Sequence, residues 1–182
     1  RGGPCGGGWP HVVFVQEEGG RRVYVDGELD DLEIAAKPEG EFRVNDTTIG
    51  VILRSSASHW VTGLIDDVAI WNRALSDDEA AQLHAEGLAS VFPSLGNGLI
   101  AYWPLDEVQG TKTPELVNGY DMELTNLSAE DVVEGKIGNA FSFSNEKQTL
   151  LSRVRDEDDQ LPANKHESHT VSVVEGGRKR SK

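Results

Sequence analysis

Two adjacent aspartates, Asp66 and Asp67, stand inside an otherwise apolar run from Leu64 to Trp71. Such a run, with β-branched residues recurring along it, reads as a strand whose successive side chains leave on opposite faces. Leu64, Asp66, Val68 and Ile70 then share one face, and Ile65, Asp67, Ala69 and Trp71 share the other. Both faces are mostly apolar, so the strand is expected to be covered on both sides. A carboxylate in that setting is costly unless it accepts hydrogen bonds, meets a cationic side chain or binds a metal ion. Two outcomes follow for the pair. Either they take backbone N–H groups or the nearby Arg73, or they help to hold a hard cation such as Ca2+, which collects several carboxylate and carbonyl oxygens.

Other residues with chemical potential have weaker settings. His166-Glu167-Ser168-His169 is one residue short of the His-Glu-x-x-His metalloprotease pattern and precedes a strand-like run, where that pattern needs a helix. Asp156-Glu157-Asp158-Asp159 is acidic but lies in a polar loop. No glycine-rich loop ends in Lys-Ser or Lys-Thr to cradle a phosphate. Cys5 is the single cysteine, so no intrachain disulfide forms. An isolated His84 near a helix end suits carbonyl capping or solvent better than a metal. Trp60, in a serine-rich loop, is the best-placed aromatic to stack on a sugar, whereas Trp9, Trp71, Trp103 and Tyr120 read as packing residues. Asn45-Asp46-Thr47 and Asn126-Leu127-Ser128 match the acceptor pattern for asparagine-linked glycosylation, a pattern without meaning outside a eukaryotic secretory context.

The elements that must position these residues are mostly strands. Trp9–Val15 and Arg21–Asp26 form a hairpin, and Asp26-Gly27 marks a tight turn. Glu41–Val44 and Thr47–Leu53 read as two short strands, and Leu29–Gly40 as loop. Ser76-Asp77-Asp78-Glu79 is a capping box that opens a helix of about twelve residues, closed by Gly87. Ser90–Gly98 reads as a Pro/Gly/Ser linker. Strand-like runs follow at Gly98–Trp103, Gly119–Leu124, Gly135–Ser144, Gln148–Val154 and His169–Val174. The formal charge of −14 argues against binding nucleic acid or anionic membranes, and no apolar run is long enough to span a membrane.

Gly63-Leu-Ile-Asp-Asp-Val-Ala-Ile-Trp-Asn-Arg-Ala-Leu-Ser76 resembles the closing strand of the LamG-like (laminin G-like) jelly-roll domain, in the concanavalin A-like lectin/glucanase superfamily. Trp9, His11, Val12 and the hairpin Tyr24-Val25-Asp26-Gly27 fit the pattern that precedes it in that family. The order then restarts. Gly98-Leu-Ile-Ala-Tyr-Trp-Pro-Leu-Asp-Glu107 resembles the opening strand of such a domain, Gly119–Leu124 its second, and Gly135-Lys-Ile-Gly-Asn-Ala-Phe-Ser-Phe-Ser144 its third.

The resemblance implies an all-β, antiparallel β-sandwich of the jelly-roll type, incomplete, with one short connecting helix. It divides the chain into a flexible leader (1–8), the C-terminal part of one LamG-like domain (9–76), a helix and linker (77–97), the N-terminal part of a second (98–174) and a basic flexible tail (175–182). Either the two parts are orphaned halves, or they complete each other as a circularly permuted sandwich. We favour the second, with Tyr102 near Ile70. In related glucanases a structural calcium lies where an aspartate of the last strand meets early-strand carbonyls. Carried over, that implies Asp66 first and Asp67 second as ligands, with Asp106 and the Ser144-Asn145 turn as partners. The glucanase Glu-x-Asp-x-x-Glu strand is missing, so the pair of carboxylates a glycosidase needs is not met. The expected function is a non-catalytic recognition or adhesion module at the cell surface or outside the cell, of the kind common in bacterial surface proteins. It would bind a glycan or a surface protein, with Ca2+ as a structural cofactor and Trp60 in the ligand site, as part of a larger multidomain protein. The alternative is an architectural spacer without ligand.

Overall fold

The computed structural model describes residues 8–17, 20–31, 46–53, 56–156, 158–161 and 168–176. The run Glu41–Val44, the acidic Glu157, His166, Glu167 and Cys5 lie outside them. In chain order the elements are β1 (His11–Glu17), β2 (Gly20–Val25), β3 (Glu28–Leu29), β4 (Asp46–Ile49), β5 (Ile52–Leu53), β6 (Ala57–Ser58), β7 (Gly63–Trp71), α1 (Asp77–Glu86), α2 (Leu88–Leu95), β8 (Leu99–Trp103), β9 (Lys112–Thr113), β10 (Met122–Thr125), a 3-10 turn at Ala129–Asp131, β11 (Val132–Glu134), β12 (Asn139–Phe143), β13 (Leu150–Val154) and β14 (His169–Gly176).

Among the described residues every strand pairing is antiparallel. The larger sheet runs β11-β12-β7-β14-β1-β2-β3, with β8 also on β7; the smaller runs β4-β13-β10-β9, and β5 and β6 form a separate ribbon. β7 is the hub. One edge is taken by β14 from Thr170 opposite Trp71 to Gly176 opposite Leu64. The other edge is shared: β12 pairs with Gly63–Ile65 and β8 with Val68–Trp71. Segments 9–76 and 98–174 are therefore interleaved in one sheet, with Tyr102 opposite Ala69, next to Ile70. The architecture is a mostly antiparallel β-sandwich.

Each face of β7 is covered by a different layer. Ile65, Val68 and Ile70 join Trp103, Leu105, Met122, Phe141, Phe143 and Leu151 between the two sheets. Ala69 and Trp71 join Val13, Val15, Tyr24, Leu75, Ala80, Leu83, Leu88, Val91 and Leu95 beneath the helices. These groupings correct the simple alternation expected for Leu64–Trp71, since Ile65 now shares a face with Val68 and Ile70. A bulge is the cause. Ser172 pairs with Ala69 and Val174 with Asp66, so Asp67 and Val68 together oppose the single residue Val173, and Asp67 adopts a left-handed φ of 50°. One extra residue shifts the phase of everything after it.

The helical region corrects the expected single helix and linker. The capping box is present in full: Ser76 Oγ accepts from Glu79 N, and Glu79 accepts from Ser76 N. Gly87, at a φ of 73°, ends α1 with its N–H on Leu83 O. The stretch after it does not stay open. Leu88, Val91 and Leu95, spaced by three and four residues, form one buried stripe of α2, and Trp71 Nε1 donates to Leu95 O at 2.8 Å. Packing on Trp71 overrides the Pro93 inside that helix. Glu175 and Gly176, expected to open the tail, are strand instead and pair with Ile65 and Leu64; 177–182 lie outside the described residues.

Candidate functional site

The shared edge of β7 creates the site. β12 stops pairing at Ile65 and β8 begins at Val68, so Asp66 and Asp67 fall in the gap between the two partner strands. Two loops fill it: Pro104–Asp106 leaving β8, and Gly135–Gly138 entering β12. Asp66, fully buried, accepts at Oδ2 from the backbone N–H groups of Lys136 (2.7 Å) and Ile137 (3.2 Å). Asp106 accepts at Oδ1 from Asn139 N at 2.5 Å, while Asn139 Nδ2 donates to Asp106 O. The loop must be glycine-rich to come this close. A Cβ on Gly135 would sit 2.7 Å from Asp66 Oδ2, and one on Gly138, which also holds a φ of 72°, would collide with Asp106 Oδ1.

The bulge turns Asp67 away from that loop. Its Oδ1 accepts the Tyr102 hydroxyl at 2.5 Å. Arg73, a possible partner for the pair in sequence, instead binds Glu79 at 2.7 Å. Each of the three carboxylates keeps one oxygen without a hydrogen bond among the described residues: Asp66 Oδ1, Asp67 Oδ2 and Asp106 Oδ2. Asp66 Oδ1 is also fully enclosed. Burial, reinforced by the charge of Asp67, pushes Asp66 up to about 7, against the pull of the Ile137 and Lys136 N–H groups. Burial likewise raises Asp67, with the Tyr102 hydroxyl opposing, and burial then the Asp67 bond raise Tyr102. Desolvated, mutually repelling oxygens at one corner are what a hard cation neutralises. Among the described residues no three His, Cys, Asp or Glu side chains are grouped to hold one metal ion. An ion here would therefore rest on Asp66 and Asp106, completed by carbonyls and water.

Asn145 is not brought to this corner. It lies past the far end of β12, where its N–H donates to Thr62 Oγ1 at 3.1 Å. The five residues of β12 separate it from the Gly135–Gly138 loop, roughly 17 Å at strand rise. Trp60 is half-buried. With His59, Val61, Thr62, Ile65, Val173 and Glu175 it lines an open recess of about 670 Å³.

A second recess, of about 320 Å³, opens on the helix side of the bulge and is lined by Asp67, His11, Ser172, His84, Trp9 and Lys136, among others. His11 Nε2 and Ser172 Oγ are 2.8 Å apart. The Nδ1 of His11 is buried without a hydrogen-bond partner among the described residues, and its ring stacks on that of His84 at 5.8 Å. Burial, then the His84 charge, lowers His11 to about 4. Sequence reading missed His11, Ser172 and Tyr102 as neighbours of Asp67, because only the bulge and the β1-β14-β7 order bring them together. It also missed Glu115. That buried carboxylate accepts four backbone N–H groups, from Tyr102, Val117, Asn118 and Tyr120, and ties the Val117–Tyr120 turn to β8. A charged residue inside the apolar-bounded Thr113–Val117 stretch was the available signal.

Residues 4–81 match the laminin G model of the Concanavalin A-like lectin/glucanases superfamily. The matched segment contains β1, β2 and β7, including both aspartates of the bulge. The chain is also similar to the human adhesion G-protein coupled receptor D1, 29% identical over 102 residues. That stretch covers 50% of this chain and 11% of the receptor. No solved structure matches the chain significantly. No helix among the described residues is long and apolar enough to cross a membrane.

Proposed function

We propose that this is a non-catalytic extracellular recognition module of a larger multidomain protein, with a calcium ion as a structural clamp at the Asp66–Asp106 corner. The observation that carries the reading is Asp66 Oδ1, enclosed and unpartnered beside two further carboxylates. A bound Ca2+ would neutralise these charges and tie β7 of segment 9–76 to the Asp106 and Gly135–Gly138 loops of segment 98–174. It would act electrostatically and structurally, with no bond made or broken. Adhesion as the wider role is supported by the similarity to an adhesion receptor and by the superfamily match. The recess at Trp60 offers an aromatic wall for a sugar or a partner side chain.

The test is a thermal melt followed by tryptophan fluorescence, with excess Ca2+ and again with chelator. Calcium at about 100 times its dissociation constant stabilises a fold by roughly 2.7 kcal/mol, which moves the midpoint by several degrees. The gain should vanish in Asp66→Ala. A cooperative melt indifferent to calcium would remove the metal from the proposal and leave the sandwich intact. A glycan array then separates recognition from a spacer role: hits lost in Trp60→Ala support a sugar site, and an empty array points to a protein partner or a spacer.

A further inference from the structure

We infer that Asn126 is an acceptor site for an asparagine-linked oligosaccharide. The inference uses the extracellular route of the proposed function but none of its ligands. Of the eight asparagines, only Asn45 and Asn126 are followed by a hydroxyl residue two positions on, and they are displayed differently. Asn45 lies outside the described residues, and its Thr47 is half-buried within β4, paired with Arg153. Asn126 stands immediately beyond the last residue of β10, exposed, at a left-handed φ of 54° that asparagine tolerates. Leu127 packs on the intersheet core, which anchors the turn and leaves Asn126 and Ser128 in solvent. Neither Leu127 nor Ala129 is a proline, so the backbone of the acceptor turn is not locked.

The amide has the right bonds free. Asn126 Nδ2 donates to Gln148 O at 3.2 Å in an exposed setting. This uses one of its two N–H groups, and the other has no acceptor among the described residues. Glycosylation replaces one amide hydrogen only. Nδ2 bonds to the anomeric carbon of an oligosaccharide carried on a lipid pyrophosphate, the carbon–oxygen bond to the pyrophosphate breaks, and the displaced proton leaves with the base that accepts it. The remaining N–H can keep the Gln148 carbonyl. The location also suits a glycan. Thr125 pairs with Leu150 at the start of β13, so Asn126 lies toward the β12–β13 turn. The Asp66–Asp106 corner is at the other end of β12, where the Gly135–Gly138 loop enters. A glycan on Asn126 would therefore cover the end of the sandwich away from the carboxylates.

The experiment is secretion of the full chain from a eukaryotic cell line behind an added signal sequence, with electrophoresis before and after removal of N-glycans and mass mapping of the peptide that contains Asn126. The added signal makes the result independent of where the native chain resides and of whether calcium binds. In Thr47→Ala, which removes the other acceptor pattern, one glycan-sized step should remain. It should be lost in Asn126→Gln and in Ser128→Ala, and restored in Ser128→Thr. Ser128 also caps the 3-10 turn, so the Ser128→Thr rescue separates acceptor chemistry from a folding defect. Secreted, cooperatively melting Thr47→Ala protein with an unmodified Asn126 peptide would overturn the inference.

Discussion

At the residue scale, two buried groups make stability depend on pH in opposite directions. Asp66 holds its proton to about 7 in the folded chain, against 3.8 ordinarily. The folded state thus binds more protons than the unfolded chain across that window, and stability falls as pH rises from about 4 through 7. The expected loss is on the order of 4 kcal/mol. It should flatten in Asp66→Asn, which should also be the more stable protein at pH 8 in chelator. His11 behaves inversely. Its imidazole stays neutral down to about 4, against 6.5 ordinarily, through burial and the His84 charge, with Asp26 opposing. Stability is fully present above about 6.5 and is lost as pH falls through about 4. The measurement is denaturant unfolding from pH 4 to pH 8 in the parent, Asp66→Asn and His11→Gln. A parent profile left unchanged by both variants would refute the assignment of these two groups. Glu115 is a third residue of this kind. Glu115→Ala leaves four backbone N–H groups without their carboxylate and should cost about 3 to 5 kcal/mol, whereas exposed Glu107→Ala should stay within about 0.5 kcal/mol.

At the element scale, α1 and α2 are held by specific end contacts more than by helix propensity. Ser76 and Glu79 close the capping box, and Thr170 Oγ1 ties the entry turn to β14 by donating to Arg73 O and accepting from Leu75 N. Ser76→Ala should cost about 1 kcal/mol. Thr170→Val keeps the shape, removes both bonds and should cost about 2 kcal/mol, since Leu75 N then lies buried without a partner. Chemical-denaturation midpoints at constant slope would check both, and a loss confined to Ser76→Ala would show that the β14 tie carries no weight. The bulge belongs to this scale as well. It places Asp67 at the recess with His11 and Ser172 and re-phases Val68–Trp71, so that Trp71 meets α2.

At the scale of the whole molecule, β7 from the first segment is paired on both edges only by strands of the second, namely β8, β12 and β14. Neither part has a closed core alone. The pieces 1–97 and 98–182, expressed separately, should give no cooperative melt. Mixed in equal amounts, they should recover one transition and protect the amides of Leu64–Trp71 from hydrogen exchange. Cooperative unfolding of the piece 1–97 by itself would contradict this interleaved sheet. The same pairing explains why a calcium ion at the Asp66–Asp106 corner would act on global stability: its ligands come from both segments.

Sequence alone was sufficient for the features set by local chemistry. The β1–β2 hairpin, the doubly covered strand at Gly63–Trp71, the capping box at Ser76 and the glycine stop at Gly87 follow from periodicity, turn residues and capping. The resemblance carried by Gly63–Ser76 pointed to the sandwich. Tertiary structure decided what depends on contacts far apart in the chain. The bulge at Asp67 arises only when β14 pairs alongside β7, α2 forms because Trp71 offers its stripe a floor, and Asp66 meets Lys136 and Asp106 because β8 and β12 divide one edge of β7. Asn145 looked equally eligible as a carboxylate partner, yet a strand's length removes it from the corner. Local pattern specifies which backbone forms; long-range pairing specifies which charges come to share one desolvated space.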